Sequence, residues 1–343
     1  MIRNEECRSV KEQISLDYGM TKRYLNDSTI DNIETMPNPI HWPTTGIQPT
    51  ACQKAKSPFF VVVVHTAVTN FERRQRFRAL WPESLKTELA FDIIFVTGGT
   101  RNVSIQEKLE LEAHNYGDIL QSNAVDDYKQ LPIKAQAWLK YLNGTCAQKE
   151  TRFVLKMDDD VEINLSLYHR FLLDQRYESR SLFCLSYKHV ADRRKDSKWY
   201  VNKILKSKPY LSPSEFPFRN LGIFCAGLAY TLSMDLVPEM YENTKYTRFV
   251  WLDDWYVTHA LLNRVDFTMY DIRDLYFVSE YKRQAFHLLR QVIVGNLPTP
   301  LFGHLKERSY FTEKRQFDLW KRSQSCVHVA LSDSLESEHP NTA

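Results

Sequence analysis

Three features of this sequence predict an α/β fold built on a mostly parallel sheet flanked by helices. Apolar β-branched runs alternate with helical stretches of about 10–15 residues, the pattern of βαβ units. Those runs are apolar throughout instead of alternating, as expected of strands buried on both faces. One of them ends directly on Asp158-Asp159-Asp160, and parallel sheets place ligand chemistry at the carboxyl ends of their strands.

The elements follow in order. Residues 1–57 are polar and irregular, with Pro39, Pro43 and Pro49 among them, and read as a stem or linker ending near Ser57-Pro58. Phe59–His65 is the first buried strand, and Asn70 is placed to cap a basic helix through Trp81. Ala90–Thr97 is the second strand, closed by Gly98-Gly99. Val103–Tyr116 has helical spacing, Gly117–Leu120 is a short strand, and Tyr128–Leu142 is a helix. Arg152–Met157 is the strand that meets the acidic triplet, with a helix expected from near Asn164. Leu182–Tyr187 and the apolar Gly222–Leu232 follow. Between them, residues 191–220 read as a long basic and aromatic loop. Met234–Glu242 is expected helical and Leu252–Leu262 amphipathic. A catalytic domain over 58–324 and a polar tail over 325–343 complete the layout.

The 343 residues carry 45 Lys and Arg against 42 Asp and Glu, a near-neutral balance that offers no bulk footprint for nucleic acid. The longest aliphatic and aromatic run, Phe59 to Val64, is far short of the roughly 20 residues a bilayer span needs, so the chain as given is expected to be soluble. The six cysteines form no CxxC pair. They suit buried small hydrophobes or two or three disulfides. Sequons at Asn26, Asn102, Asn143 and Asn164 point the same way as disulfides, toward an oxidising compartment.

Three adjacent carboxylates repel unless a cation neutralises them, and a hard divalent ion such as Mn²⁺ or Mg²⁺ is the natural partner. A solvated, helix-capping turn is the alternative. In a strand-terminal turn that holds an ion, the first and third carboxylates can face it while the middle one points elsewhere. No glycine-rich phosphate loop is present, so phosphates would be held by metal and cationic side chains. Arg74 and Arg78 are i,i+4 on one helix face and are candidates to reach a diphosphate; for Arg73 and Arg76 a solvated surface is expected. Of the pair Asp253-Asp254, helix capping explains one, and the other, flanked by Trp251 and Trp255, has the setting of a general base. His304 could donate to a metal from the far end of the chain, or be an ordinary histidine, as His65 and His287 could be.

Taken together these segments resemble the inverting β-1,3-glycosyltransferases of the Golgi, glycosyltransferase family 31, which include β-1,3-galactosyl- and β-1,3-N-acetylglucosaminyltransferases. The resemblance runs from about residue 59 to 320. It is carried by Glu72-Arg73-Arg74-Gln75-Arg76-Phe77-Arg78, by Glu112 with Tyr116-Gly117-Asp118-Ile119-Leu120 and Asp127-Tyr128, by Phe153–Val161 with Asn164, by Lys198-Trp199-Tyr200-Val201, by Phe216-Pro217 with Cys225–Tyr230, and by Asp253–Thr258. It departs at Asp253, Trp255 and Thr258, where the family has Glu, Val and Gly. It implies a GT-A fold, a Rossmann-like core joined to an acceptor-binding half. It implies Mn²⁺ held by Asp158, Asp160 and His304, and Asp254 as catalytic base. Arg74, Arg78, Lys134, Asp158 and Asp159 are expected to serve the donor, UDP-galactose or a UDP-N-acetylhexosamine. The implied reaction moves that hexose, with inversion, to a hydroxyl of a glycoprotein or glycolipid acceptor in β-1,3 linkage. Placement in the Golgi lumen is implied too, although the family's membrane anchor is missing from this sequence. A silent carbohydrate-binding relative of the same fold is the competing reading.

Overall fold

The structure, a computed structural model, describes residues 21–23, 46–54, 56–174, 179–190, 216, 220–279 and 300–305. The Lys198–Val201 segment, most of the long loop and the tail lie outside them. The chain divides into two compact units, one of residues 22–159 and 179–271, the other holding the described residues of 160–178 and 272–305.

The larger unit is an α/β sheet. Strands β1 (Thr21–Arg23), β2 (Phe60–His65), β3 (Phe91–Gly99), β4 (Ile119–Val125), β5 (Phe153–Asp158), β7 (Ser181–Val190), β8 (Asn220–Ser233) and β9 (Thr268–Asp271) lie in the order β1-β9-β7-β8-β5-β2-β3-β4. β5, β2, β3 and β4 run parallel, and β7 and β9 are parallel to each other. β8 is the exception, antiparallel to both β5 and β7. The mostly parallel expectation therefore holds, with one reversed strand at the centre. β2 is buried along its whole length, as its Val run requires.

Helices α1 (Phe71–Leu80), α2 (Glu83–Glu88), α3 (Val103–Tyr116), α4 (Leu131–Thr145) and α6 (Val237–Asn243) belong to this unit, as does a short α7 (Asp253–Trp255) that widens into a π-helical turn over Tyr256–Ala260. α3 has the expected bounds. Asn102 caps it, its Oδ1 accepting from Ile105 N at 3.2 Å, and Gly117 ends it in the left-handed conformation at φ 63°. Three expectations need correcting. Asn70 does not cap α1, because its side chain donates to Asp159 instead. The strand expected to close at Gly98-Gly99 continues through both glycines. The strand expected over Gly117–Leu120 starts later and runs on to Val125.

Residues 46–54, the end of the expected linker, lie against this sheet. Thr50 N donates to Gly117 O at 2.8 Å, and the backbone N of Cys52 donates to Asp92 Oδ2 at 2.8 Å. Cys52 is bonded to Cys146 in α4, closing a separation of 94 residues, and Cys184 in β7 is bonded to Cys225 in β8. The cysteines of these pairs are thus disulfides and not free core thiols.

The smaller unit holds β6 (Val161–Ile163), α5 (Leu165–Asp174), β10 (Tyr276–Ser279) and β11 (Phe302–Leu305), its strands ordered β10-β11-β6. β11 runs antiparallel to β6, with His304 opposite Val161. Asn164 is buried, and its Oδ1 accepts from Leu167 N at 3.2 Å at the start of α5. Of the three sequons among the described residues, this one has its acceptor side chain enclosed.

Candidate active site

The carboxyl ends of β2 and β5 lie side by side, His65 paired with Asp158. Two residues earlier in register, Lys156 stands across from Tyr230 of β8. Lys156 is buried, an exception in an otherwise apolar strand, and its ammonium is taken up by three neighbours. It donates to Asp158 Oδ1 at 2.8 Å and to the Gly227 carbonyl at 2.7 Å, and lies 3.7 Å from Asp253 Oδ2. Burial alone would push its pKa down, but Asp158 and Asp253 outweigh it and hold the ammonium above its ordinary value. The site thus has a fixed positive charge.

Asp253 is the buried member of the second acidic pair. Burial pushes its carboxyl up to about 6, Asp254 and Asp158 add to that, and Lys156 opposes it. Its Oδ2 lies 3.7 Å from Nδ1 of His65. The other ring nitrogen of His65, Nε2, is 3.1 Å from the indole N–H of Trp138, which can only donate. Nε2 is therefore an acceptor and the ring proton sits on Nδ1, facing Asp253. Burial, then Lys156 and Lys134, keep this imidazole neutral, with a pKa well below its usual value.

Asp254 is half-buried. Its Oδ1 accepts from Trp255 N at 2.9 Å. Three hydrogen bonds strap its helix to β8: Thr258 Oγ1 accepts from Cys225 N at 2.9 Å, Trp255 Nε1 donates to Leu221 O at 2.7 Å, and His259 Nδ1 meets Ile223 O at 2.8 Å; within the helix Thr258 Oγ1 donates to the Asp254 carbonyl at 2.6 Å. Gly227 lets the two elements close. A Cβ there would stand 3.2 Å from Cβ of Asp254, tighter than ordinary packing allows. A π-helical turn immediately after a half-exposed carboxylate is a frequent mark of a functional position.

Buried side-chain polar atoms without a hydrogen-bond partner gather here: His65 Nδ1, Tyr230 Oη, Trp251 Nε1 and Asp253 Oδ1. Such groups are normally paired, so their clustering marks a place where polar chemistry outranks stability.

The basic residues expected at the diphosphate are used elsewhere. Arg74 has no exposed surface. Its Nε and Nη2 grip Glu112, at 3.0 and 2.7 Å, and its Nη1 donates to Ala67 O at 2.8 Å. Arg78 makes a two-pronged pair with Asp118, both bonds 2.8 Å, and a third bond to Glu112 at 2.6 Å. Lys134 is buried against Asp126 at 2.5 Å and the Thr66 carbonyl at 2.9 Å. Asp159 is likewise engaged, accepting from Thr66 Oγ1, Asn70 Nδ2 and Arg73 Nη1 at 2.7, 2.8 and 2.6 Å. Arg73, expected to be solvated, is thus an ion-pair partner. Arg74 and Arg78 share a helix face, and in this structure they, Lys134 and Asp159 are all paired with oppositely charged groups of this chain.

In the smaller unit, Asp160 Oδ2 and His304 Nε2 stand 3.5 Å apart, brought together by the β6–β11 register. Among the described residues no group of three His, Cys, Asp or Glu side chains is arranged to hold a metal ion. A carboxylate oxygen and an imidazole nitrogen are both ligand types used by divalent metal ions. Asp158 is 43% exposed at the side chain and meets Lys156. Also among the described residues, no helix is long and apolar enough to cross a membrane.

Sequence reasoning missed Lys156 and Tyr128. Lys156 was visible as one charge inside an apolar strand, which is costly unless partnered. Tyr128 had no such signal.

A mostly parallel α/β sheet carries an acidic turn after β5 and a half-exposed aspartate strapped to the neighbouring strand, and the family match over these elements makes the protein a glycosyltransferase. Residues 72–273 match the Galactosyltransferase family, more than half of the chain, and the chain belongs to that family. It is similar to beta-1,3-galactosyltransferase 1 of Homo sapiens, at 26% identity over 67% of this chain and 68% of that one. Beta-1,3-galactosyltransferase 2 of Mus musculus is 28% identical over 67% of this chain and 53% of its own length. UDP-GalNAc:beta-1,3-N-acetylgalactosaminyltransferase 1 of Sus scrofa is 26% identical over 69% and 70%. A solved glycosyltransferase involved in glycosylating the major capsid of PBCV-1 covers 76% of this chain and 98% of its own, at a TM-score of 0.34 and 10% identity.

Proposed function

We propose that this glycosyltransferase moves a hexose, galactose or an N-acetylhexosamine, from a UDP-sugar to a hydroxyl of a glycoprotein or glycolipid glycan, in β-1,3 linkage and with inversion. The names of the three relatives support the linkage and the donor class. The observation that carries the mechanism is Asp254, half-exposed and held rigidly against β8 beside two further carboxylates and a buried ammonium.

In this reading Asp254 accepts the proton of the acceptor hydroxyl as its oxygen attacks the anomeric carbon. The bond from that carbon to the diphosphate oxygen breaks on the opposite face, and UDP leaves. No covalent intermediate is needed, so no nucleophilic Ser or Cys is required. Asp253 and Asp158 stand in the same cluster, and Lys156 keeps that concentration of carboxylates tolerable. Asp160 and His304, with Asp158 from the same acidic turn, are the proposed holders of Mn²⁺. When bound, the ion supplies Lewis-acid stabilisation of the departing diphosphate charge.

Asp254→Asn tests the assignment. It keeps the side chain's size and removes its basicity, so transfer falls by about 10²-fold or more while UDP affinity stays unchanged. Asp160→Asn behaves in the opposite way, weakening metal-dependent UDP binding. Near-normal transfer by the variant at 254, with the one at 253 inactive, would move the base one residue upstream. The proposed site of action is the Golgi lumen, supported by the two disulfides and the exposed sequon at Asn102. Absence of a glycosidase-sensitive mass shift in the protein from its own cells would remove that placement.

A further inference from the structure

Next to the carboxylates stands an aromatic pair that neither the charge cluster nor the strapping of α7 uses. Tyr128 begins the 3₁₀ turn leading into α4, and its side chain is left open, the residue being 49% exposed. Its ring centroid lies 6.1 Å from that of Trp251, tilted by 54°. The Lys129 ammonium lies 5.4 Å from the Trp251 ring. Trp251 itself is buried, with an indole N–H that has no acceptor in the protein. Burial and then Asp254, Asp158 and Asp253 push the Tyr128 hydroxyl up to about 12, which sets this residue within electrostatic reach of the proposed base.

An open aromatic ring beside functional carboxylates marks a ligand surface more than a packing surface. Two kinds of ring could lie on it, the uracil of a nucleotide or the pyranose of a sugar. Nearness to Asp254, the proposed base, favours the sugar, because the hydroxyl that gives up its proton belongs to the acceptor. A pyranose also presents C–H groups, whose positive edge suits the negative face of an aromatic ring. Its rim hydroxyls need both donors and acceptors, which the Lys129 ammonium and the carboxylates offer.

We infer that Tyr128, backed by Trp251, is the platform on which the acceptor's terminal hexopyranose stacks, and that it selects for β-pyranosides with an open C–H face. The inference rests on the reading of Asp254 as the base, since it places the acceptor ring beside that carboxylate.

The test uses the full chain with Tyr128→Ala and Tyr128→Phe. Binding of methyl β-D-galactopyranoside and methyl β-D-N-acetylglucosaminide is followed by saturation-transfer NMR in the presence of UDP and Mn²⁺. Hydrolysis of UDP-galactose and UDP-N-acetylglucosamine without acceptor reports the donor half. Tyr128→Phe keeps the ring face and binds the glycosides within about twofold of the wild type. Tyr128→Ala weakens glycoside binding by about tenfold, equivalent to about 1.4 kcal/mol, and leaves the KM for UDP-sugar unchanged. Wild-type glycoside affinity in Tyr128→Ala overturns the inference, as does a wild type that binds neither glycoside. A raised KM for UDP-sugar with glycoside binding intact overturns it too and gives the ring to the nucleotide. Failure of donor hydrolysis in every form, with glycoside binding still sensitive to Tyr128, would instead strike the transfer reaction and leave the platform standing.

Discussion

Two charged clusters in the same unit show opposite design. Behind the sheet, Arg74, Arg78, Glu112 and Asp118 pair two cations with two carboxylates, and the guanidinium groups have little or no exposed surface. At the strand ends, Lys156 faces Asp158 and Asp253 with Asp254 nearby, and His65 is kept neutral, so negative charge exceeds positive. The first cluster holds α1 onto α3 and the start of β4, and its carboxylates are met by geometrically matched forks. The second leaves buried atoms unpaired and carries a carboxyl pushed up to about 6. A balanced cluster stabilises; an unbalanced one stores the capacity to bind and to exchange protons.

The sharpest way to break this comparison is Arg74→Leu. It leaves buried Glu112 with Arg78 as its remaining guanidinium partner, and removing one partner from such a buried network costs up to about 3–5 kcal/mol. Denaturant unfolding should show that loss. A cost below 1 kcal/mol would mean that the network is solvated and the contrast false.

Asp253→Asn probes the other side and should have the opposite sign. The Asp253 carboxyl is raised in the folded state from 3.8 to about 6, so folding disfavours its charged form. Below pH 4 it is protonated in both states and has no effect. Between pH 4 and 6 the unfolded chain gives up its proton first, so stability falls as pH rises, by about 3 kcal/mol in all. Above pH 6 the penalty is fully present. Asp253→Asn removes it, so the variant gains on the wild type across pH 4–6 and keeps the gain at pH 7. Unfolding curves at pH 4, 5, 6 and 7 measure this directly, and a variant that loses stability as pH rises would reverse the assignment.

The smallest effect belongs to the seam between the clusters. Thr66→Val deletes one of the three side-chain donors to Asp159, at 2.7 Å, and leaves Asn70 and Arg73 in place. One hydrogen bond to a charged group is worth about 1.5–3 kcal/mol, and the two remaining donors should hold the loss to the lower end. Thermal unfolding would show a larger drop if Asp159 depended on Thr66 alone.

The sequence by itself determined that β2, β3, β4, β5, β7 and β8 are strands, the bounds of α3 and the positions of the acidic turn and the second acidic pair. These are local matters: a Val run buries itself as a strand, Asn102 and Gly117 bracket a helix, and a carboxylate triplet needs a neutralising partner wherever it lies. Only the tertiary structure decided which cation meets which anion. Arg74 and Glu112 are 38 residues apart, Lys156 and Gly227 71, and Asp160 and His304 further still, and no spacing rule links them. It likewise decided that β8 runs against its neighbours, which brings Gly227 under Asp254, and that the Tyr128 ring stands open beside Trp251. A charge pattern on one helix face states only that partners are wanted. Burial and hydrogen-bond geometry choose them, because taking an ion from water is tolerable only where a counter-charge is already fixed in place.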